Sequence, residues 1–237
     1  TQKREFRTIT GTYKGTKISV ISTGIGPDNI DIVMNELDAL VNIDLKTRTL
    51  KKEHIKLNIV RIGTSGSLQK DIPVDSFVLA KYGLGFDGML HSYDCEQILE
   101  ADFEDLFIKH TNWSPRKARP YVVKNSEELE KKLTSDKVFV GVTATAGGFY
   151  GPQGRVLRIG LQDDALNSKI DNFEFKGVRV TNLEMETSAI YGLAKLLGHN
   201  ACSMNAIIAN RANGTFSENP YKPVEELIVY TLNKLVS

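Results

Sequence analysis

The sequence predicts an α/β domain: a parallel or mixed sheet covered by helices on both faces. Three observations carry this. Short β-branched runs alternate with longer helical patterns along the chain, Gly-rich turns follow two of the runs, and the composition is that of a globular protein. Of 237 residues, 41% are hydrophobic and 25% charged, enough apolar material for a sizeable core. Thirty basic residues against 29 acidic ones leave a net charge of +1, which gives no global reason to expect a nucleic-acid or membrane-surface partner. No apolar run approaches the ~20 residues that span a bilayer, and no signal peptide opens the chain. A cytoplasmic location is the default expectation. Cys95 and Cys202 lie far apart and match no metal-binding spacing, so they are expected to be reduced and buried or indifferent.

Taken in order, Lys17 to Ser22 reads as a strand, followed by the turn Thr23-Gly24-Ile25-Gly26-Pro27. A helix over 30–40 follows, with Asp28 or Asn29 placed to cap it. Leu57 to Ile62 is the next strand, then a second Gly-rich turn. Further strands are predicted at 77–80, 138–142, 178–180 and 206–208, and helices at 95–107, 126–133, 187–197 and 223–235. The charged stretch 42–56 reads as a solvated insertion. Its Lys46, Arg48, Lys51 and Lys52 suit a wetted surface better than an anion site.

Four segments end strands with polar or Gly-rich residues, where open α/β sheets bind ligands. In Ser22-Thr23-Gly24-Ile25-Gly26, paired glycines bring backbone N–H groups close to an anion or a sugar, or merely make a tight turn. The segment lacks the G-x-G-x-x-G dinucleotide fingerprint. In Arg61-Ile62-Gly63-Thr64-Ser65-Gly66-Ser67, a guanidinium closes an apolar strand. Burying it unpaired costs several kcal/mol. Either a bound phosphate or a structural carboxylate would answer it. Phe149-Tyr150-Gly151-Pro152-Gln153-Gly154-Arg155 gathers aromatics, an amide and a guanidinium that can stack on and read a planar heterocycle, or form a plain surface loop. In Asn182-Leu183-Glu184-Met185-Glu186-Thr187-Ser188, the extended part sets Glu184 and Glu186 on one side. They suit sugar hydroxyls beside the apolar face of Met185, or a helix N-terminus that favours acidic residues.

In this order the four segments, with Arg4-Glu5-Phe6 before them and Asn210-Arg211 after them, resemble the uridine phosphorylase branch of the nucleoside phosphorylase family. The resemblance runs from Arg4 almost to the C-terminus. It implies a single three-layer α/β/α domain over 1–237 with a twisted, partly closed mixed sheet. It also implies phosphorolysis of uridine to uracil and ribose 1-phosphate, with deoxyuridine and thymidine as further candidate substrates. Inorganic phosphate would be the co-substrate, with no metal or organic cofactor.

The resemblance assigns roles by position. Arg61, Thr64 and Gly26 would hold phosphate, joined by Arg4 from a neighbouring subunit. Thr64, Glu184, Met185 and Glu186 would hold the ribose. Ser65, Gly66, Phe149, Gln153, Arg155 and Arg211 would line the base, with Gln153 and Arg155 reading its edge. Purine-cleaving relatives place an Asp where Asn210-Arg211 stands, so a pyrimidine is favoured. A shared site implies at least a homodimer, and hexamers of dimers occur in the family. The 42–56 insertion leans toward dimeric relatives.

Relatives carry, ahead of the Arg-Glu-Phe element, a Gly-Asp-Pro-x-Arg phosphate loop and a histidine that reaches a neighbour's ribose. Neither lies in these 237 residues: either a preceding segment holds them, the favoured expectation, or the phosphate site is incomplete. His54, His91, His110 and His199 do not match that histidine. The competing readings are a purine nucleoside phosphorylase, a nucleosidase using water, and a non-catalytic nucleoside-binding protein of the same fold.

Overall fold

The computed structural model describes residues 2, 3 and 5–237. The chain opens with a three-stranded antiparallel meander, β1 (Gln2–Lys3), β2 (Phe6–Tyr13) and β3 (Thr16–Ser22), and enters α1 (Pro27–Asn42). A small hairpin follows, β4 (Ile43–Asp44) with β5 (Thr49–Leu50). The main sheet holds β6 (Asn58–Ser67), β7 (Phe77–Gly85), β8 (Tyr121–Lys124), β9 (Val138–Thr145), β10 (Glu174–Phe175), β11 (Val178–Glu184), β12 (Asn200–Asn210) and β13 (Thr215–Phe216). Between and after them come α2 (Ala101–Thr111), α3 (Glu127–Leu133), α4 (Leu166–Asp171), α5 (Thr187–Leu196) and α6 (Tyr221–Val236).

The strand order is β13-β12-β6-β11-β9-β7-β8, and β12 also pairs with β7 through Met204–Leu79, Asn205–Val78 and Ala206–Phe77. The path β12-β6-β11-β9-β7 therefore returns to β12, and the sheet curls into a closed ring of five strands. Within it β6 runs parallel to β12, β9 runs parallel to β7 and β11, and the two groups oppose each other. This is the predicted mixed α/β architecture. Ile30 and Met34 of α1 pack with Tyr191 and Leu193 of α5. Phe103 and Phe107 of α2 pack with Leu84 and Val142, and Leu129, Leu133 and Leu227 of α3 and α6 pack on Leu79, Cys202 and Met204. Both cysteines are free and buried, as expected.

The elements depart from the sequence expectations in four places. The predicted turn after Ile62 does not form. Strand β6 continues through Gly63, Thr64, Ser65 and Gly66 to Ser67, because β12 pairs with it along its whole length. Arg61 thus sits within a strand rather than at its end. Helix α1 is capped by Gly26, not by Asp28 or Asn29: Pro27 takes the first helical position, where its fixed φ suits and its missing N–H costs nothing. Gly26 itself has φ 96°, a conformation that glycine adopts without strain. The predicted 95–107 helix breaks into a 3-10 turn at Glu96–Ile98 and helix α2, with extended Leu99 between them. Strands β2 and β8 and helix α4 were not anticipated.

Two features set the frame for the site. Helix α5 lies close on β7, because a Cβ on Gly83 would stand 2.8 Å from the backbone Cα of Ser188. Gly83→Ala is expected to push α5 off the sheet and destabilise the protein by about 1–3 kcal/mol in urea unfolding. At the other end of α1, His199 accepts a hydrogen bond at Nδ1 from the Leu57 N–H (3.3 Å), and its Nε2 lies 3.4 Å from Asp38 Oδ1. Burial lowers the pKa of His199 below the ordinary 6.5, against the opposing pull of Asp38. The folded state therefore favours neutral His199, whose contribution is complete above about pH 6.5 and declines as pH falls below it. The stability lost between pH 7.5 and pH 5.5 in urea melts is expected to shrink in His199→Gln. Residues 44–56 are exposed throughout, so Lys46, Arg48, Lys51 and Lys52 lie on a wetted surface.

Candidate active site

The register of the ring creates the site. Strands β6 and β11 are antiparallel with Gly66 opposite Leu183. Moving back along β6 from Gly66 to Arg61 therefore moves forward past Glu184, the last residue of β11, toward Glu186 at the start of α5. Arg61 meets both carboxylates there. Its Nη2 is 2.6 Å from Glu186 Oε2 and 3.0 Å from Glu184 Oε2, and its Nη1 donates to Asn205 Oδ1 at 2.8 Å. Gly63 leaves room for this, since a Cβ there would collide with the guanidinium. Burial pulls the pKa of Arg61 down, but the Glu184 and Glu186 charges outweigh it and hold the pKa above its ordinary value. Burial pushes Glu184 above the ordinary glutamate value, and Arg61 opposes that rise.

The two glutamates are held differently. Glu184 accepts hydrogen bonds from Thr145 Oγ1 (2.7 Å), the Glu186 N–H (2.9 Å) and the Thr187 N–H (3.0 and 3.1 Å). The Glu186 carboxylate instead reaches across to α1, where Oε1 accepts the Gly26 N–H at 2.7 Å. Glu184 and Glu186 do meet on one side, at Arg61, but β11 ends at Glu184 and Glu186 caps α5, so the turn into the helix and not strand alternation brings them together.

At the Ser67 end of β6 a second group assembles. The Arg211 N–H donates to the Ser67 carbonyl at 2.8 Å, and its side chain crosses Gly66, where an added Cβ would stand 3.3 Å from Cδ. Arg211 Nη2 then donates to the Gln153 carbonyl at 2.5 Å. Gln153 is buried, and its Oε1 accepts from Arg155 Nη1, which also donates to the Phe149 carbonyl at 2.7 Å. The Arg155 guanidinium lies over the Phe149 ring, 3.9 Å from its centroid. Among the described residues neither Arg155 nor Arg211 forms an ion pair, and Arg211 Nη1 is buried with no hydrogen-bond partner. Burial, reinforced by Arg155, lowers the pKa of Arg211 to about 10.

The structure thus groups Arg61, Gly26, Glu184 and Glu186 at one end, and Gly66, Gln153, Arg155, Arg211 and Phe149 at the other. Strand β6 from Arg61 to Gly66 joins them, spanning about 16 Å at strand rise. Ser65 is buried and accepts from Asn182 Nδ2 at 2.8 Å; Thr64 is exposed and Met185 half-buried between the two ends. Arg4 lies outside the described residues. Asn210 is fully committed elsewhere: its Nδ2 donates to the Gln69 and Ile72 carbonyls, both at 2.8 Å. Sequence reasoning missed Thr145 and Asn205. The second had a signal, an amide between the apolar residues Met204 and Ala206. A cavity of about 260 Å³ lined by Lys56, Lys124, Lys195 and His199 contains none of these groups.

The curled mixed sheet thus carries two buried carboxylates on Arg61 at one end of this stretch of β6 and, among the described residues, two guanidiniums without an ion pair at the other. The chain belongs to the phosphorylase superfamily, whose model matches residues 1–229. It is 30% identical over 216 residues to a uridine phosphorylase of Thermococcus kodakarensis, a match that covers 91% of this chain and 66% of that protein. The chain thus spans just under two thirds of that relative's length. A DeoD-type purine nucleoside phosphorylase of Listeria welshimeri is 25% identical over 237 residues, covering 99% of this chain and 82% of the relative. Among solved structures, a Trypanosoma brucei nucleoside phosphorylase described as showing uridine phosphorylase activity superposes with TM-score 0.85. It is 28% identical, and the match covers 98% of this chain and 84% of that one. A Phytophthora capsici uridine phosphorylase shares the fold at TM-score 0.69 and 22% identity, covering 98% of this chain and 82% of that one.

Proposed function

We propose that this protein cleaves uridine with inorganic phosphate to give uracil and ribose 1-phosphate. The observation that carries the reading is the separation of charge along β6. Breaking the N-glycosidic bond leaves cationic character on the ribose and negative charge on the departing base. Glu184 and Glu186 stand at the end suited to the first, and Arg155 and Arg211, without carboxylates to neutralise them, at the end suited to the second. A phosphate oxygen, held by Arg61, Thr64 and the Gly26 N–H, forms a bond to the anomeric carbon. The carbon–nitrogen electron pair departs with the base, and the uracil anion takes a proton from water. Positioning and fixed charge do the work, with no covalent enzyme intermediate and no need for a metal or organic cofactor.

Among the described residues no carboxylate pairs with Arg211, and Asn210 faces the backbone of residues 69–72, which favours a pyrimidine. The Thermococcus and Trypanosoma relatives support the same base. We further propose one nucleoside phosphorylase domain, a cytoplasmic location and a homo-oligomer of at least two copies, dimeric or hexameric. In support of a covering partner, Ile25, Val156, Leu157 and Ile159 are exposed apolar side chains next to Gly26 and Arg155. No helix among the described residues is long and apolar enough to cross a membrane.

The test is chromatography of products from uridine, deoxyuridine, thymidine, inosine and adenosine, each with and without phosphate. Uracil formed only with phosphate supports the proposal. Hypoxanthine or adenine as the main product would make it a purine phosphorylase. Turnover without phosphate would make it a nucleosidase, and binding without turnover a nucleoside-binding protein.

A further inference from the structure

The Glu186 carboxylate spans two of the donors that the proposed function gives to phosphate. Oε1 takes the Gly26 N–H at 2.7 Å and Oε2 takes Arg61 Nη2 at 2.6 Å. An oxyanion bridging a backbone N–H and a guanidinium is the geometry in which a phosphate would sit. Glu186 and phosphate therefore compete for the same hydrogens. The cluster also carries one positive charge, on Arg61, against two carboxylates, so it repels an entering anion as arranged.

The neighbouring residues show which carboxylate can yield. Glu184 is fixed by Thr145 and by the N–H groups of Glu186 and Thr187, and it would still neutralise Arg61 if Glu186 left. Asn205 holds the other arm of Arg61 in place, and its own Nδ2 donates to Ser203 Oγ at 3.3 Å. Among the described residues, the Glu186 carboxylate has only the two contacts that phosphate would take over, while its backbone N–H donates to the Glu184 carboxylate and its carbonyl accepts the Ile190 N–H in the first turn of α5. A side-chain rotation alone frees both donors.

We propose that Glu186 is a two-position switch: it closes the phosphate seat by bridging Gly26 and Arg61, and phosphate entry releases it to the ribose hydroxyls. This rests on the phosphorolytic reading above. It makes Glu186 a regulator of phosphate binding as well as a sugar ligand. Phosphate that frees Glu186 raises nucleoside affinity, and a nucleoside that captures Glu186 raises phosphate affinity by the same factor.

The experiment is calorimetric titration of inorganic phosphate alone into the native protein, Glu186→Gln and Glu186→Ala, with folding checked by circular dichroism. Gln is nearly isosteric and keeps an acceptor for the Gly26 N–H while losing the charge; Ala removes the bridge altogether. Both variants are expected to bind phosphate more tightly than the native protein, Ala by about tenfold or more. Equal or weaker phosphate binding in folded variants overturns the switch. Because no nucleoside is present, a wrong base assignment leaves this result untouched. Absence of phosphate binding in all three proteins would contradict the phosphorolytic reading itself, and the switch with it.

Discussion

Arg61→Ala is expected to lower kcat/KM for uridine phosphorolysis by about 10²–10³-fold, the cost of deleting one preorganised charged donor at a reacting centre. Little of the remaining activity should depend on phosphate. The same change should destabilise the fold by about 3–5 kcal/mol, because it leaves two buried carboxylates facing each other without their shared counter-charge. Steady-state kinetics against phosphate and urea unfolding read the two effects separately. Arg61→Lys should rescue part of the stability and little of the activity, since an ammonium cannot serve Asn205 with one arm and two glutamates with the other. A native rate in Arg61→Ala at low phosphate would remove Arg61 from the chemistry and leave it as a structural ion pair.

Arg211→Met should move activity and stability in opposite directions. The native guanidinium has a buried Nη1 with no partner, and burial holds its pKa down at about 10. A thioether, which reaches about as far as Nε, replaces the Cγ–Cδ stem over Gly66 and removes a charge that no carboxylate among the described residues offsets. Stability is expected to rise by about 0.5–2 kcal/mol, the range of changes that relieve a strained functional site. Turnover of uridine should fall by about 10²-fold, because negative charge on the departing base loses a fixed positive neighbour. A variant less stable than native and fully active would show that Arg211 serves the fold alone.

How much of this was legible in the sequence depends on where the information sits. Arg61 stood out because a guanidinium in an apolar strand demands a partner. Glu184 and Glu186 stood out because alternation in an extended strand would set them on one side. Both inferences depend only on near neighbours. The run of β6 through Gly63 and Gly66 was not legible: glycines read locally as a turn, and pairing with distant β12, joined by β11 at Gly66, keeps them extended. The partners of Arg61 were equally hidden, because Asn205 is 144 positions away and meets it through the β6–β12 register. The break between Cys95 and Phe107 escaped for a related reason. The apolar pattern continues through it, while the Glu100 N–H is bound to the Val122 carbonyl on the sheet instead of within a helix. The cap of α1 was misjudged by a few residues because Asp28 and Asn29 are good capping residues, but Pro27 claims the first turn.

The most direct test of the central claim is to run the reaction with uridine and phosphate in water enriched in oxygen-18 and weigh the sugar product by mass spectrometry. If phosphate held at Arg61 is the nucleophile, the product is ribose 1-phosphate with no label from water, formed in step with uracil. Free ribose formed in step with uracil, with no ribose 1-phosphate at any time point, would show that water attacks the anomeric carbon, and would contradict the phosphate seat on which the site has been built.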